Sequence, residues 1–485
     1  MNEWRRLDPR MIVVAPVHAL IRLVPLLLIV LVTGGSGDPV RLWITFGIAG
    51  LVVLGGLVRW RTTKYRITPE RVELHSGWVR RQRRSVPRDR IRTVDLTAPL
   101  LHRAFRLNVV AVRAAESGGE HSGLNLDAVS TAEGESLRRE LLERPSVPDP
   151  EAPAGPGAEP LARLDWSWLR FAPLTFSSLA GIGAIAAAGF NLLTELNVDP
   201  RRVGGVAARL TAAPLWVAIA VVGAGFLVLA VVGSVVLFVE RWWGYRLTRE
   251  ADGTLRVRRG LLTTRSLSVA EDRLRGVSVH EPLLLRAGRG AQTRALAAGL
   301  GREAQGGVLQ PPVPRAEAHR VAGAALTAAD PTLTPLSPHP RSALRRRVTR
   351  AVVPAALVVA AAVVVGRVWP RLEWIAPTAA VLLPLAALLA WDRYRGLGHA
   401  LTESHLVSRL GGLSRRTVAV QRSGIVGWRV RQSVFQRRAG LVTCEAVTAA
   451  GEGGYRILDM DAAEVAALIA RTPLTDAVAS RRCSG

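Results

Sequence analysis

Lysine is nearly missing from this 485-residue chain: Lys64 is the single one, and every other Lys/Arg position is an arginine. Cysteine is as scarce, with only Cys444 and Cys483, neither in a CxxC or a Cys/His cluster. That excludes a disulfide framework and a structural zinc site. Catalytic patterns are absent too. "HEP" at His280 has no second histidine for a zinc helix, and "HSGLNLD" at His121 is a run of turn formers. "GIGAIAAAG" from Gly181 fits a dinucleotide fingerprint only superficially, because it lies inside an apolar run with no preceding strand. Small residues there serve close helix packing instead. No nucleophile stands beside a base, so no enzyme, cofactor or metal is expected.

What is present is charge and grease. The net charge is +26 with 49% hydrophobic residues, and the mean hydropathy is +0.21. A balance this basic admits nucleic acid, since basic patches bind phosphates without sequence preference. Aromatics make up only 5% of the chain, no stacking motif accompanies the arginines, and the arginines are spread over three segments. Nucleic acid is therefore not expected as a partner.

The apolar residues fall in six blocks, about 12–33, 42–58, 174–193, 212–239, 351–366 and 374–391. A spanning helix needs about 20 largely apolar residues. The fourth block is uncharged throughout, whereas Arg22 interrupts the first and Arg367 closes the fifth. An arginine such as Arg22 either snorkels to a headgroup or marks function. The blocks form three pairs with short connections, and most arginines lie in the N-terminus and the long segments between pairs. The positive-inside rule then puts both termini and the long segments in the cytoplasm. The first run is too long for a cleavable signal, lacks a small-residue cleavage pattern and is followed at once by a second span.

The long segments repeat. "KYRIT" (Lys64–Thr68), "GYRLT" (Gly244–Thr248) and "GHALT" (Gly398–Thr402) each follow an apolar run. Registering on Gly77, Gly260 and Gly411 aligns Val86, Val269 and Val420 nine residues on. Ile91, Leu274 and Ile425 follow at fourteen, and Arg103, Arg286 and Arg437 at twenty-six. Each copy reads as strands split by turns, including a hairpin in "YRITPERVEL" and an Asp-Gly turn at Asp252. The anchoring glycines fit a turn needing positive φ. "LNVVAVRAA" and "LVTCEAVTAA" read as later strands. "TAEGESLRRELLE", "PRAEAHRVAGAAL" and "DAAEVAALIARTP" read as closing amphipathic helices. Tyr65 and Tyr245 are expected near the membrane interface, with Trp60, Trp242, Trp243 and Trp391 crowding the same boundary.

A helix pair, then Tyr-Arg-[Ile/Leu]-Thr, a glycine turn, a stretch such as "SVPRDRIR" and a closing helix resemble the membrane-flanked bacterial pleckstrin-homology-like (PH-like) domain. Three such units on six spans are similar to the YdbT-like branch of that family. The third copy departs from it, with His399 and Ala400 in place of Tyr-Arg and Gly424 in place of a charged residue. The resemblance implies an α+β membrane protein. Six transmembrane helices in three pairs are each followed by a cytoplasmic PH-like β domain with a C-terminal capping helix. The helix pairs are then 12–58, 166–240 and 349–391, and the PH-like domains 59–144, 241–328 and 392–473. A Pro-rich linker at 145–165, a second linker at 329–348 and a tail at 474–485 complete the chain. The family has no established catalysis, and the resemblance also implies a smaller one-domain companion as partner.

The densest charge is "RRQRRSVPRDRIR", with Arg80, Arg81, Arg83, Arg84, Arg88, Arg90 and Arg92 against one acid. Near an anionic leaflet each such cation contributes roughly 1 kcal/mol of attraction. The run is either a contact for anionic lipid headgroups or an acidic partner, or a topology signal. The expected role is an integral inner-membrane scaffold or adaptor that holds partners, or copies of itself as a homo-oligomer. A transport or export component is the alternative, and the few polar groups in the spans weigh against it.

Overall fold

The polar word that follows each apolar run is a strand in all three copies of the computed structural model. The structure describes residues 4–14, 54–58, 60–77, 81–88, 91–114, 123–142, 159–175, 214–297, 307–448 and 453–472, with the single positions 17, 47, 50, 51 and 451. Two compact units divide the chain, Met1–Ala270 and Glu271–Gly485.

Copy one contains β1 (Arg5–Arg6), β2 (Lys64–Ile67), β3 (Arg71–Ser76), β4 (Gln82–Pro87) and β5 (Ile91–Ala98). There follow α1 (Leu100–Ala104), β6 (Leu107–Ala114), β7 (Gly123–Ser130) and α2 (Thr131–Leu142). Copy two opens with β8 (Glu159–Arg163), a 3-10 helix (Trp166–Leu174) and α3 (Leu215–Trp242). It continues through β9 (Arg246–Arg249), β10 (Thr254–Arg259), β11 (Thr264–Ala270) and β12 (Leu274–Pro282). Its last elements are α4 (Leu283–Ala287), β13 (Gly290–Ala297), β14 (Val313–Pro314) and α5 (Arg315–Leu326). Copy three has α6 (Arg341–Val368), α7 (Ile375–Ala380), α8 (Leu382–Arg395), β15 (Gly398–Leu401), β16 (His405–Leu410) and β17 (Ser414–Gln421). It closes on β18 (Ile425–Arg431), α9 (Val434–Arg438), β19 (Leu441–Thr448), β20 (Gly454–Asp461) and α10 (Ala462–Ala470).

The register glycines do what the turn demands. Gly77, Gly260 and Gly411 have φ of 103°, 112° and 110°. A Cβ on Gly260 would lie 2.0 Å from the Thr263 carbonyl oxygen, and one on Gly411 1.9 Å from that of Ser414. Only glycine fits. Downstream, Ile91, Leu274 and Ile425 are 0%, 2% and 3% exposed, and Val86, Val269 and Val420 are equally enclosed.

In copies one and three the closing helix covers the core. In copy one, residues of β2 to β7 join Leu137 and Leu141 of α2 in one cluster, with Leu7, Met11 and Val14 added from around the start of the first apolar run. In copy three, β16 to β20 pack with Val465 and Leu468 of α10. A copy therefore begins ahead of its strand word, on the far side of the apolar blocks. β1 pairs with β2, β8 extends β9 from within the stretch read as linker, and Ser337 bridges His399.

The tyrosines differ from the interface expectation. Tyr65 and Tyr245 are each 1% exposed. Tyr65 Oη donates to Glu133 Oε1 at 2.6 Å, and burial next to that carboxylate pushes its pKa up. A core-facing position in the first strand outweighs the ring's affinity for an interface, because the hydroxyl finds its partner inside. His399 holds the same place in copy three, 4% exposed, with Nε2 3.2 Å from Glu464. Glu133 and Glu464 are each the third residue of their closing helix. The histidine thus keeps the strand-to-helix contact that the tyrosine makes.

The hydrogen-bonded sheets cut across the copies. β1-β2-β3-β4 form one sheet, and a seven-stranded sheet runs β7-β6-β5-β11-β10-β9-β8. In the second unit the order is β14-β13-β12-β17-β16-β15, and β18-β19-β20 stand as a separate three-stranded sheet. The apolar core of copy one closes within the copy, that of copy three also takes in Leu296 of β13, and the backbone ladder runs from each copy into the next.

Three helical stretches, Gly223–Trp242, Arg341–Val368 and Pro370–Arg395, are long and apolar enough to cross a membrane. They correspond to the fourth, fifth and sixth apolar blocks. The first three blocks, with Arg22, lie largely or wholly outside the described residues.

Candidate functional site

The structure gathers part of the arginine run and separates the rest. Arg81, Arg83 and Arg84 are exposed at or along β4, an edge strand that among the described residues pairs with β3 alone. Arg88 leaves that surface: its guanidinium donates to the Glu140 carbonyl and lies 3.7 Å from the Glu140 carboxylate, tying the end of β4 to α2. Arg92 stands in β5 at a register shift between Ile91 and Thr93. Arg80 and Arg90 lie outside the described residues.

The repeated arginine at the twenty-six-residue offset has a partner the sequence did not reveal. β5 pairs with β11 from Ala98↔Thr264 to Thr93↔Val269, and Arg103 Nη1 donates to the Leu261 carbonyl at 2.6 Å. β12 pairs with β17 from Gly276↔Val420 to Pro282↔Ser414. Arg286 there reaches the Gly412 carbonyl at 3.4 Å and Asp392 Oδ1 at 2.8 Å. Leu261 and Gly412 each directly follow the register glycine of the next copy. The arginine of one copy therefore grips the glycine turn of its successor. In copy three, Arg437 is exposed and the far edge of β18 carries no strand among the described residues. The equal spacing was the available signal, but its meaning required the neighbouring copy.

A buried ionic node reinforces the first seam. Arg138 of α2, 3% exposed, reaches Glu250 at 2.8 Å and Glu135 at 3.2 Å, and Arg256 of β10 meets both carboxylates. Burial pushes Glu135 up, yet Arg256 and Arg138 outweigh it and hold the carboxyl below its usual range. Beside this node lies a cleft of about 480 Å³, whose lining includes Arg106, Arg246, Arg258 and Arg259. Arg246 and Arg258 face each other across β9–β10, as Arg265 and Arg259 do across β10–β11. Like charges in that position repel. Arg259 is 7% exposed and stacks 4.2 Å over the Trp242 ring. Burial, then Arg241 and Arg265, push its pKa down to about 9, against weaker support from Asp95 and Tyr245.

His319 serves local structure. His319 Nδ1 meets Asp330 at 2.6 Å and Thr332 at 3.0 Å, and its Nε2 meets Arg315 at 3.4 Å. Among the described residues no group of three or more His, Cys, Asp or Glu is placed to hold a metal. Cys444 is buried in β19, which pushes its thiol up to about 11.

A helix-borne strand word, an apolar core between sheets in copies one and three, and a helix covering it together describe a membrane protein built of PH domains. The family model for the bacterial PH domain matches residues 15–145 and 350–472, more than half of the chain, and the chain belongs to that family. Both matches fall on copies one and three, so the copy that lost the Tyr-Arg pair keeps the domain. Over 465 residues the chain is 21% identical to the UPF0699 transmembrane protein YdbT of Bacillus subtilis (strain 168). That alignment covers 91% of this chain and 92% of the relative. Neither description assigns a catalytic activity. No solved structure matches.

Proposed function

We propose that the protein is an inner-membrane scaffold or adaptor without catalysis, presenting three PH-like domains to proteins or anionic lipid at the cytoplasmic face. In this reading six spans in three pairs carry the domains, and both termini are cytoplasmic. The observation that supports it is the seam. In each unit the second sheet of one copy is extended by the first sheet of the next, so the fold is already a device for holding strands edge to edge. Among the described residues the strands equivalent to the seam strands at the two ends of the series, β4 and β18, pair with no other copy, and both carry exposed arginines: Arg83 and Arg84 on one, Arg429 and Arg431 on the other. Charged edges resist pairing with each other. They favour acidic partner strands or anionic headgroups over self-association through these two edges.

Two experiments test this. Cysteines introduced into whole cells at Ser36, Thr211 and Arg371 should label from outside, whereas those at Ser117, Gly306 and Gly451 should be protected. Labelling of Gly306 in intact cells ends the three-domain topology. A photo-crosslinker at Val430 of β18 or Arg83 of β4, in native membranes, should capture an acidic protein or an anionic lipid. Neither position yielding an adduct, with the chain present at normal abundance, removes the scaffold reading.

A further inference from the structure

In the second unit a cavity of about 1070 Å³ lies where α6 and α8 meet copy three. Its size is at the upper end for small-molecule sites, about 300–1,000 Å³. One wall is apolar, made by Ala351 of α6, Ala386 and Leu389 of α8, and Leu413 of the β16–β17 turn. Both helices lie within stretches long and apolar enough to cross a membrane. The rest of the lining is cationic: seven arginines, three of them on α6 and one on α8, stand against the carboxylates of Glu445 and Asp459, which leaves five positive charges uncompensated.

The two carboxylates are already committed. Asp459, 1% exposed, takes Arg346, Arg347 at 2.5 Å and Gln436 at 2.8 Å. Glu445 is shared by Arg429 and Arg456, each at 3.7 Å. Arg350, Arg393 and Arg431 are exposed and have no carboxylate partner among the described residues. Beside Gln432 and Ser433 of the same wall, Val434 and Phe435 of α9 are 63% and 71% exposed.

Cations alone would suit any anion in water. Joined to a helical apolar wall, they suit an amphiphile. We infer that this cavity binds one anionic phospholipid, its phosphate held by Arg350, Arg393 and Arg431 and its acyl chains lying along Ala351, Ala386 and Leu389. Guanidinium–phosphate contacts of this kind are charge-assisted and can be bidentate. A soluble phosphate or an acidic peptide would meet the same arginines and leave the apolar wall wet. The inference requires α6 and α8 to sit in a bilayer, and it does not rest on the scaffold reading.

The test uses the full chain, purified in mild detergent, exchanged into nanodiscs of phosphatidylcholine doped with phosphatidylglycerol, then stripped and read by native mass spectrometry. The wild type should retain one phosphatidylglycerol. Arg350→Gln/Arg431→Gln should retain it at least about tenfold less, the loss expected when hydrogen bonds to a charged group are removed. Both side chains are exposed and without a carboxylate partner, so the melting temperature should hold. Ala386→Phe, which fills the apolar wall and keeps every arginine, should lower retention as well. Arg83→Gln/Arg84→Gln, on β4, should leave retention unchanged, so its behaviour separates this site from the scaffold edges. Equal retention by wild type and Arg350→Gln/Arg431→Gln overturns the proposal. So does competition by sn-glycerol 3-phosphate at the same concentration as the lipid, which would make the site one for soluble phosphate.

Discussion

Replacing Arg286 with glutamine should open the seam between β12 and β17, and replacing Arg437 should do nothing comparable. The two arginines are equivalent in the repeat, but only Arg286 has a successor to grip. Its guanidinium holds Asp392 at 2.8 Å and the Gly412 carbonyl at 3.4 Å, and its side chain is 21% exposed against 27% for the aspartate. A fully exposed ion pair contributes about 0–1 kcal/mol, and a hydrogen bond to a charged group about 1.5–3 kcal/mol. With both side chains mostly enclosed the contact falls in the second range, about 2 kcal/mol, or roughly a 30-fold change in the opening equilibrium. The reporter is a thiol at Ser278, a near-isosteric change on β12 at a position 0% exposed, in a Cys444→Ala/Cys483→Ser background. Labelling of Ser278→Cys then tracks the population of the open seam. Arg286→Gln should label about 30-fold faster than its parent, and Arg437→Gln within about twofold, as for a surface change of about 0.5 kcal/mol. Arg286→Gln staying within twofold, or Arg437→Gln matching it, would refute the grip.

Gly411→Ala and Gly260→Ala should each destabilise by about 3 kcal/mol or more in thermal unfolding, because positive φ and a carbonyl contact near 2 Å act together. Gly427→Ala, with nothing within 4 Å of its Cβ, is the neutral control. Ile91→Ala, Leu274→Ala and Ile425→Ala should each cost about 2–5 kcal/mol by denaturant titration, and a negligible loss at any one breaks the equivalence of the copies. Acid should weaken the second unit. Burial, with Arg294 and Arg416, pushes His280 down to about 3, and burial, with His399 and Arg347, pushes His339 down to about 4. Because the folded values lie below the unfolded one near 6.5, the unfolded chain takes up protons first, and stability falls as pH drops from about 6.5 towards 4 and 3. Each histidine should cost about 2 kcal/mol at pH 5, and His280→Gln should flatten the melting profile over that window. An unchanged profile contradicts the burial of His280.

The sequence determined whatever depends on a residue and its near neighbours. The need for positive φ made Gly77, Gly260 and Gly411 legible as anchors, and equal offsets from those glycines made apolar Val86, Ile91 and their equivalents legible as matching positions. Runs of apolar residues announced the three long helices, and leucine spacing announced α2 and α10. The arginine run was legible as charge, but not the departure of Arg88 to Glu140. Tyr65 was misplaced because an aromatic with a polar tip is equally at home at an interface or inside, and the Glu133 carboxylate 68 residues away decided it. Strand pairing was the larger matter left to tertiary structure. A strand's alternation says which face is buried, not which edge meets its neighbour, because ladder hydrogen bonds are made by backbone groups common to every residue. β5 could have met β4 of its own copy by its pattern alone; it met β11 because the copy's two sheets face each other across the core, leaving the β5 edge free for the next copy.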